Sequence, residues 1–245
     1  MGTAVERAAL AAGDMRIKAR IDAAAPGSHV AGTAHALDSN DPLGPGDVVV
    51  DFSSPEGAIE ACGLCAERGA ALVSGTTGLS AAAEAQLDRL ALTVPVLRAS
   101  NFSLGVLALR RALAAALASL PREWDVEIVE RHHRRKVDAP SGTALTLARD
   151  VTAARGLTDA ALRHGREGRT GERPRDEIGM HALRGGSFVG DHEVVLAGEG
   201  EWLELRHVAQ DRSAFAHGVL AAARFVAHAA PGRYHLEDLV TGGRP

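Results

Sequence analysis

Three short apolar runs, Asp47–Phe52, Ala70–Ser74 and Val94–Arg98, recur at similar spacing in the first hundred residues. Runs of this length that lack polar alternation are buried on both faces, as in parallel strands covered by helices. The stretches between them, Pro55–Arg68 and Ser80–Leu90, have helical periodicity, and Ser54 stands where an N-cap belongs. Strand–helix alternation leaves few arrangements open, and the simplest is a parallel, doubly wound sheet. Met1–Ala12 is expected to be helical. Met15–Ile21 alternates polar and apolar residues and is expected to be a further strand, ending at Asp22.

Beyond Asn101 the pattern changes. A helix is expected over Leu104–Leu120, a strand over Asp125–Glu130 and a helix over Gly142–Ala154, followed by an arginine-rich polar loop up to Pro174. Strands are then expected at Glu177–Ala182, Gly186–Gly190, His192–Ala197 and Trp202–Val208, with Gly185-Gly186 and Gly198-Glu199-Gly200 as turns. Such a run of strands after helices points to an α+β unit with a mostly antiparallel or mixed sheet. An apolar-faced helix at Ala214–Ala230 returns the chain to the first architecture, so the expected division is residues 1–103 with 214–245 against 104–213.

Composition excludes several classes. A formal net charge of -4 provides no global field for nucleic acid. No apolar run approaches the roughly 20 residues needed to cross a bilayer. Cys62 and Cys65 form the one C-x-x-C, but no second pair completes a metal site, and both fall at small apolar positions of a helical stretch. Free thiols and no evident signal peptide suggest a reducing cytoplasm.

The densest chemistry lies in Glu130-Arg131-His132-His133-Arg134-Arg135-Lys136-Val137-Asp138-Ala139-Pro140-Ser141-Gly142-Thr143-Ala144. Histidine is the side chain best suited to proton transfer near neutral pH. Adjacent residues of an extended chain point to opposite faces, so His132 and His133 are poorly placed to share one metal ion. Lys136 adds a second proton source or a cation for a carboxylate. Ser141 is a good N-cap, Gly142 permits close approach to the backbone, and the free amides of a helix start favour an anion. Gly75-Thr76-Thr77-Gly78 and Ser100-Asn101-Phe102-Ser103 follow expected strands, and ligands of open parallel sheets bind at the carboxyl ends of strands. Asp22, at another strand end, is placed to bond ribose hydroxyls of a dinucleotide.

The stretch from Glu130 to Ala144 resembles the signature of the 4-hydroxy-tetrahydrodipicolinate reductase (dihydrodipicolinate reductase) family, and the likeness extends over nearly the whole chain. Val50–Pro55, Gly75–Gly78 and Ser100–Ser103 resemble its cofactor segments; Gly165–Arg173, Arg184–Gly186 and Gly190–His192 resemble its substrate-domain segments. The resemblance implies an α/β fold with a Rossmann-like dinucleotide-binding domain, and an α+β domain for substrate binding and oligomerisation. It implies NADH- or NADPH-dependent reduction of a cyclic imine dicarboxylate to tetrahydrodipicolinate, in diaminopimelate and lysine biosynthesis. By the same resemblance His132 and Lys136 are the catalytic proton donors, and His133, Gly142 and Thr143 bind substrate. Asp22, Gly75, Thr76, Thr77, Ser100, Asn101, Phe102 and Ser103 bind the cofactor. No metal is implied, and a homotetramer is. Two alternatives are a noncatalytic or cofactor-defective remnant of the family and another two-domain nicotinamide enzyme such as an aspartate dehydrogenase.

Two departures bear on the cofactor. The family opens with a strand and a glycine-rich turn that holds the pyrophosphate, whereas Met1-Gly2-Thr3-Ala4-Val5-Glu6 resembles only the end of that turn. The expectation is that the protein's start lies upstream of Met1, where in-frame coding DNA would reveal the strand and loop; a chain starting at Met1 is expected to bind cofactor weakly. Ala23 follows Asp22 where a basic residue would meet a 2′-phosphate, so NADH is expected to serve at least as well as NADPH.

Overall fold

The computed structural model describes residues 1–21 and 42–241, and the chain divides into two compact units, Met1–Ser103 with Phe215–Pro245, and Leu104–Ala214. The first unit is built on a parallel sheet of β1 (Val48–Asp51), β2 (Ala71–Ser74), β3 (Pro95–Arg98) and β9 (Gly232–Tyr234), in the order β1-β2-β3-β9. Helices α1 (Gly2–Ala12), α2 (Pro55–Arg68) and α3 (Ala81–Ala91) belong to the same unit. Ser54 caps α2 by accepting from the Gly57 amide, and Ser80 caps α3 through the Ala83 amide. The core joins Leu72 and Val96 of the strands to Cys62 and Cys65 of α2 and to Leu87 and Leu90 of α3. Both cysteines are free and buried, and burial pushes the Cys65 thiol up to about 12, so neither is a reactive thiolate.

Met15–Ile21 departs from expectation. It forms no strand, and Arg20 alone makes an isolated bridge. Period-two alternation reports a two-faced segment, whereas a strand is defined by a ladder, and among the described residues no strand pairs with this segment. Polar side chains tie the segment down instead: Lys18 bonds the Pro42 carbonyl and Asp47, and Arg20 pairs with Glu6. Asp22 lies outside the described residues.

The second unit holds a mixed five-stranded sheet in the order β5-β6-β4-β7-β8. Its strands are β4 (Asp125–His132), β5 (Leu162–His164), β6 (Ile178–Arg184), β7 (Gly190–Gly198) and β8 (Glu201–Ala209). β4 runs parallel to β6 and antiparallel to β7, while β6 is parallel to β5 and β7 antiparallel to β8. Helices α4 (Leu104–Ser119) and α5 (Gly142–Arg155) supply Leu109, Leu113, Leu147 and Val151 to a core completed by Val126, Ile128, Ile178 and Val194. Of the expected strand at Gly186–Gly190 only Gly190 is extended, as the first residue of β7, and the rest is the turn between β6 and β7. Its carbonyls serve the loop after β4, with Gly186 and Phe188 accepting from the Arg134 and His133 amides. Two last helices, α6 (Ser213–Val226) and α7 (Asp238–Thr241), flank β9 in sequence. Among the described residues no helix is long and apolar enough to cross a membrane.

Candidate active site

Strand β4 places the site. Its side chains alternate along the sequence Asp-Val-Glu-Ile-Val-Glu-Arg-His, and Val126, Ile128, Glu130 and His132 all fall on the buried face. The first two enter the core against α5. The last two continue the same row at the strand end, where Ser141 and Ala144 begin that helix. A carboxylate and an imidazole thus occupy positions that the strand would otherwise fill with aliphatic residues. Glu130 is only 1% exposed, so each of its oxygens needs partners.

Those partners converge from three segments. Arg184, the residue opposite His132 on β6, grips Glu130 with both terminal guanidinium nitrogens at 2.7 Å. The Ser141 amide donates to Glu130 Oε1 at 3.0 Å, and His132 Nδ1 lies 2.6 Å from Oε2. Burial opposes the carboxylate's charge, but Arg184 and His132 outweigh it and hold the pKa below the ordinary value. Arg184 also donates to the Asp138 carbonyl at 2.6 Å, fixing the loop that leads into α5.

His192 completes the cluster. It sits opposite Glu130 on β7, and its ring meets that of His132 edge-on with centroids 5.2 Å apart. Its Nε2 is 2.9 Å from Ser141 Oγ, which also accepts from the Ala144 amide as the N-cap of α5. Burial, reinforced by His132, lowers the His192 pKa to about 4, so this imidazole is neutral at physiological pH. One hydroxyl therefore caps the helix and fixes a neutral histidine against the cluster.

His133 is half-buried just beyond β4, and its Nδ1 has no hydrogen-bond partner among the described residues. Lys136 donates to both carboxylate oxygens of Asp138 at 2.8 Å, and this bond is the main cause of the lowered Asp138 pKa. Gly142 is exposed, with open space where a Cβ would stand, and Thr143 follows it half-buried in the first turn of α5. Helix start, histidines and lysine thus lie in one unit.

The strand-end residues of the first unit form a separate group. Asp51, buried at the end of β1, accepts from Ser74 Oγ and Thr76 Oγ1 at 2.8 Å and from the Ser53 amide at 3.0 Å. The Thr76 hydroxyl is thereby spent on holding its own loop, whereas Thr77 is exposed. A Cβ on Gly75 would stand 2.1 Å from the Phe52 ring, so only glycine fits. Asn101 Oδ1 accepts from the Ser103 amide at 2.8 Å, and Ser100 is exposed. Phe102 is 2% exposed, its ring edge-on to Phe52, so its side chain belongs to the packing. Glu130, Arg184 and His192 lie in segments that resemble the family's signature and substrate domain, but none received an individual role from sequence. Period two on β4 could have singled out Glu130 two residues before His132; Arg184 and His192 needed the sheet register.

Comparison with known proteins covers nearly the whole chain. The family model described as dihydrodipicolinate reductase, N-terminus, matches residues 1–102, and that described as dihydrodipicolinate reductase, C-terminus, matches residues 105–240. A 4-hydroxy-tetrahydrodipicolinate reductase of Myxococcus xanthus is 43% identical, over 98% of this chain and 93% of its own. One from Nitratiruptor sp. is 44% identical, over 89% of this chain and 84% of its own. Among solved structures, a dipicolinate-bound dihydrodipicolinate reductase from Paenisporosarcina sp. TG-14 superposes with a TM-score of 0.63 at 28% identity, covering 78% of this chain and 73% of that one.

Proposed function

The chain belongs to the dihydrodipicolinate reductase family, and on that premise we propose that it is a 4-hydroxy-tetrahydrodipicolinate reductase of diaminopimelate and lysine biosynthesis. The observation that carries the reading is the union, within one short stretch, of a carboxylate-bound histidine, a lysine and an open, glycine-bearing helix start. The reaction reduces an unsaturated cyclic imine bearing two carboxylates. A hydride adds to one ring carbon, and the enamine-like anion left behind takes a proton.

This chain's residues account for the protonation and the binding. His132 delivers a proton, with Glu130 behind its ring. Lys136 is the second donor and leaves Asp138 to meet the substrate. A substrate carboxylate takes the amides of Gly142 and Thr143 at the start of α5, where no side chain intrudes at Gly142. His133, whose Nδ1 lacks a protein partner among the described residues, binds the substrate beside them.

When bound, NADH or NADPH supplies the hydride. The carboxyl ends of β1, β2 and β3 fit a nicotinamide: Thr77 and Ser100 are exposed, Asn101 stands beside them, and Gly75 leaves room for the Phe52 ring against the loop. Thr76, Phe102 and Ser103 shape that rim from within the packing. Asp22 binds the adenine ribose, and steady-state kinetics are expected to give NADH a kcat/KM at least equal to that of NADPH; a strong preference for NADPH would contradict the role of Asp22. The buried, free thiols support a reducing cytoplasmic setting. A homotetramer is supported by the open face of the mixed sheet, where Leu183, Trp202 and Val208 are 45%, 68% and 52% exposed.

The test is consumption of NADH or NADPH with freshly prepared substrate. The wild-type chain is expected to turn over, and His132→Gln to lose about 10²–10⁴-fold in kcat, the usual contribution of a general acid. No consumption by folded, cofactor-saturated wild type would refute the assignment.

A further inference from the structure

We infer that Glu130 is a positioning residue that fixes His132 with a proton on Nδ1, so that Nε2 alone exchanges a proton with the substrate. The inference rests on the reading of His132 as the proton donor and deepens it.

Donor counting sets the tautomer. Glu130 Oε1 takes Arg184 Nη2 and the Ser141 amide, and Oε2 takes Arg184 Nη1. These three groups can only donate, and the Arg184 guanidinium gripping both oxygens holds the carboxyl below its usual range despite burial, so Glu130 is an ionised acceptor. His132 Nδ1 stands 2.6 Å from Oε2. Two acceptors cannot face each other at that distance, so Nδ1 carries hydrogen whether the ring is neutral or charged. The proton gained and lost in a catalytic cycle is then the one on Nε2.

The surroundings of Nε2 agree. Among the described residues no polar group bonds it. A Cβ on Gly190 would stand 3.4 Å from it, so glycine there keeps the nitrogen uncovered. His192, the other imidazole of the cluster, turns its Nε2 to Ser141 Oγ and leaves Glu130 to His132. Glu130 also ties the donor to the helix start, since the same carboxylate holds the Ser141 amide. Arg184 extends the tie to the Asp138 carbonyl. One buried ion pair thereby sets the donor ring and the substrate-binding loop in a common frame.

A purely structural ion pair would make Glu130 matter for folding and leave the His132 tautomer unaffected. Long-range nitrogen–proton NMR of the full chain with labelled histidine separates the two, with His132→Gln assigning the resonance. Wild-type neutral His132 is expected to carry its proton on Nδ1; a proton on Nε2 would overturn the inference without any Glu130 variant. Glu130→Gln places an amide where the ring now finds an acceptor, and the tautomer is expected to change. Its kcat is expected to fall about 10²-fold or more, with KM altered less than about three-fold, as for an interaction that acts in the chemical step. Glu130→Asp, which keeps the charge, is expected to retain the Nδ1–H form and to recover part of the lost kcat. A folded Glu130→Gln with wild-type kcat and an unchanged tautomer sinks the proposal. Full activity in His132→Gln would instead sink the assignment of the donor, whatever the tautomer measurement gives.

Discussion

At the scale of single residues, burial decides what each polar group can do. His192 is 4% exposed and its pKa is lowered to about 4, so it stays neutral in the folded chain down to that pH. In the unfolded chain it protonates near its ordinary value of about 6.5. Unfolded chains therefore bind the extra proton first, and the stabilisation is fully present above about pH 6.5 and is lost as pH falls towards about 4. Across that window up to about 3–4 kcal/mol is at stake, an upper figure from about 1.4 kcal/mol per pH unit. Denaturant titrations at a series of pH values should show His192→Asn with a flatter dependence between pH 6.5 and 4 than wild type. Gly75 gives a steric counterpart. Gly75→Ala drives a Cβ into the Phe52 ring, which has Phe102 against its edge. Overpacking of this kind costs about 1–3 kcal/mol, readable as a lowered melting temperature.

At the scale of elements, the ends matter more than the middles. Ser141 caps α5 and partners His192 with the same oxygen. Loss of a cap costs about 1 kcal/mol, and an orphaned buried nitrogen adds about as much again. Ser141→Ala is thus expected to destabilise by about 2 kcal/mol in chemical denaturation, while Ser54→Ala, a cap alone, loses about half of that. α6 offers a reversal of rule. Gly→Ala inside a helix ordinarily stabilises by about 1 kcal/mol. At Gly218 the new Cβ would stand 1.7 Å from the Phe102 carbonyl oxygen, which is backbone and cannot swing aside. Gly218→Ala should therefore lower stability by about 2–3 kcal/mol or more, a sign that helix propensity alone would get wrong.

At the scale of the whole molecule, charge is organised by unit. In the second unit, Glu127 binds Arg166, Arg173 and His181 on the sheet face opposite to Glu130 and draws the loop of Gly165–Arg173 onto β4. Burial works against the Glu127 charge, yet Arg166, His181 and Arg173 together bring its pKa down to about 2. That lowering stabilises the fold above the ordinary carboxylate pKa of about 4.3 and is lost as pH falls towards about 2. Limited proteolysis should find the arginine-rich loop far more susceptible in Glu127→Gln than in wild type at neutral pH. The exposed Trp202 and Val208 on β8 place the assembly question on the same unit; light scattering is expected to give four chains per particle, and Trp202→Glu to reduce that number.

Local and short-range features could be read from the chain alone. Apolar runs of the right length became β1, β2 and β3, although only β2 is buried along its whole length and Val50 of β1 is exposed. Ser54 and Ser141 cap the helices they precede, since a cap is chemistry within four residues. The stretch from Glu130 to Ala144 was likewise legible as one proton-donating, anion-binding segment. Tertiary structure decided whatever depended on pairing. Met15–Ile21 has the alternation of a strand but no ladder among the described residues, and the Gly186 and Phe188 carbonyls serve the loop after β4. Register across β6, β4 and β7 brings Arg184 to Glu130 and His192 to Ser141, residues about 50 apart in the chain. Strand alternation is a property of one segment, whereas a buried charge is stable only when its partners arrive from others. The identity of those partners is therefore written in the packed sheet and not in any stretch of sequence.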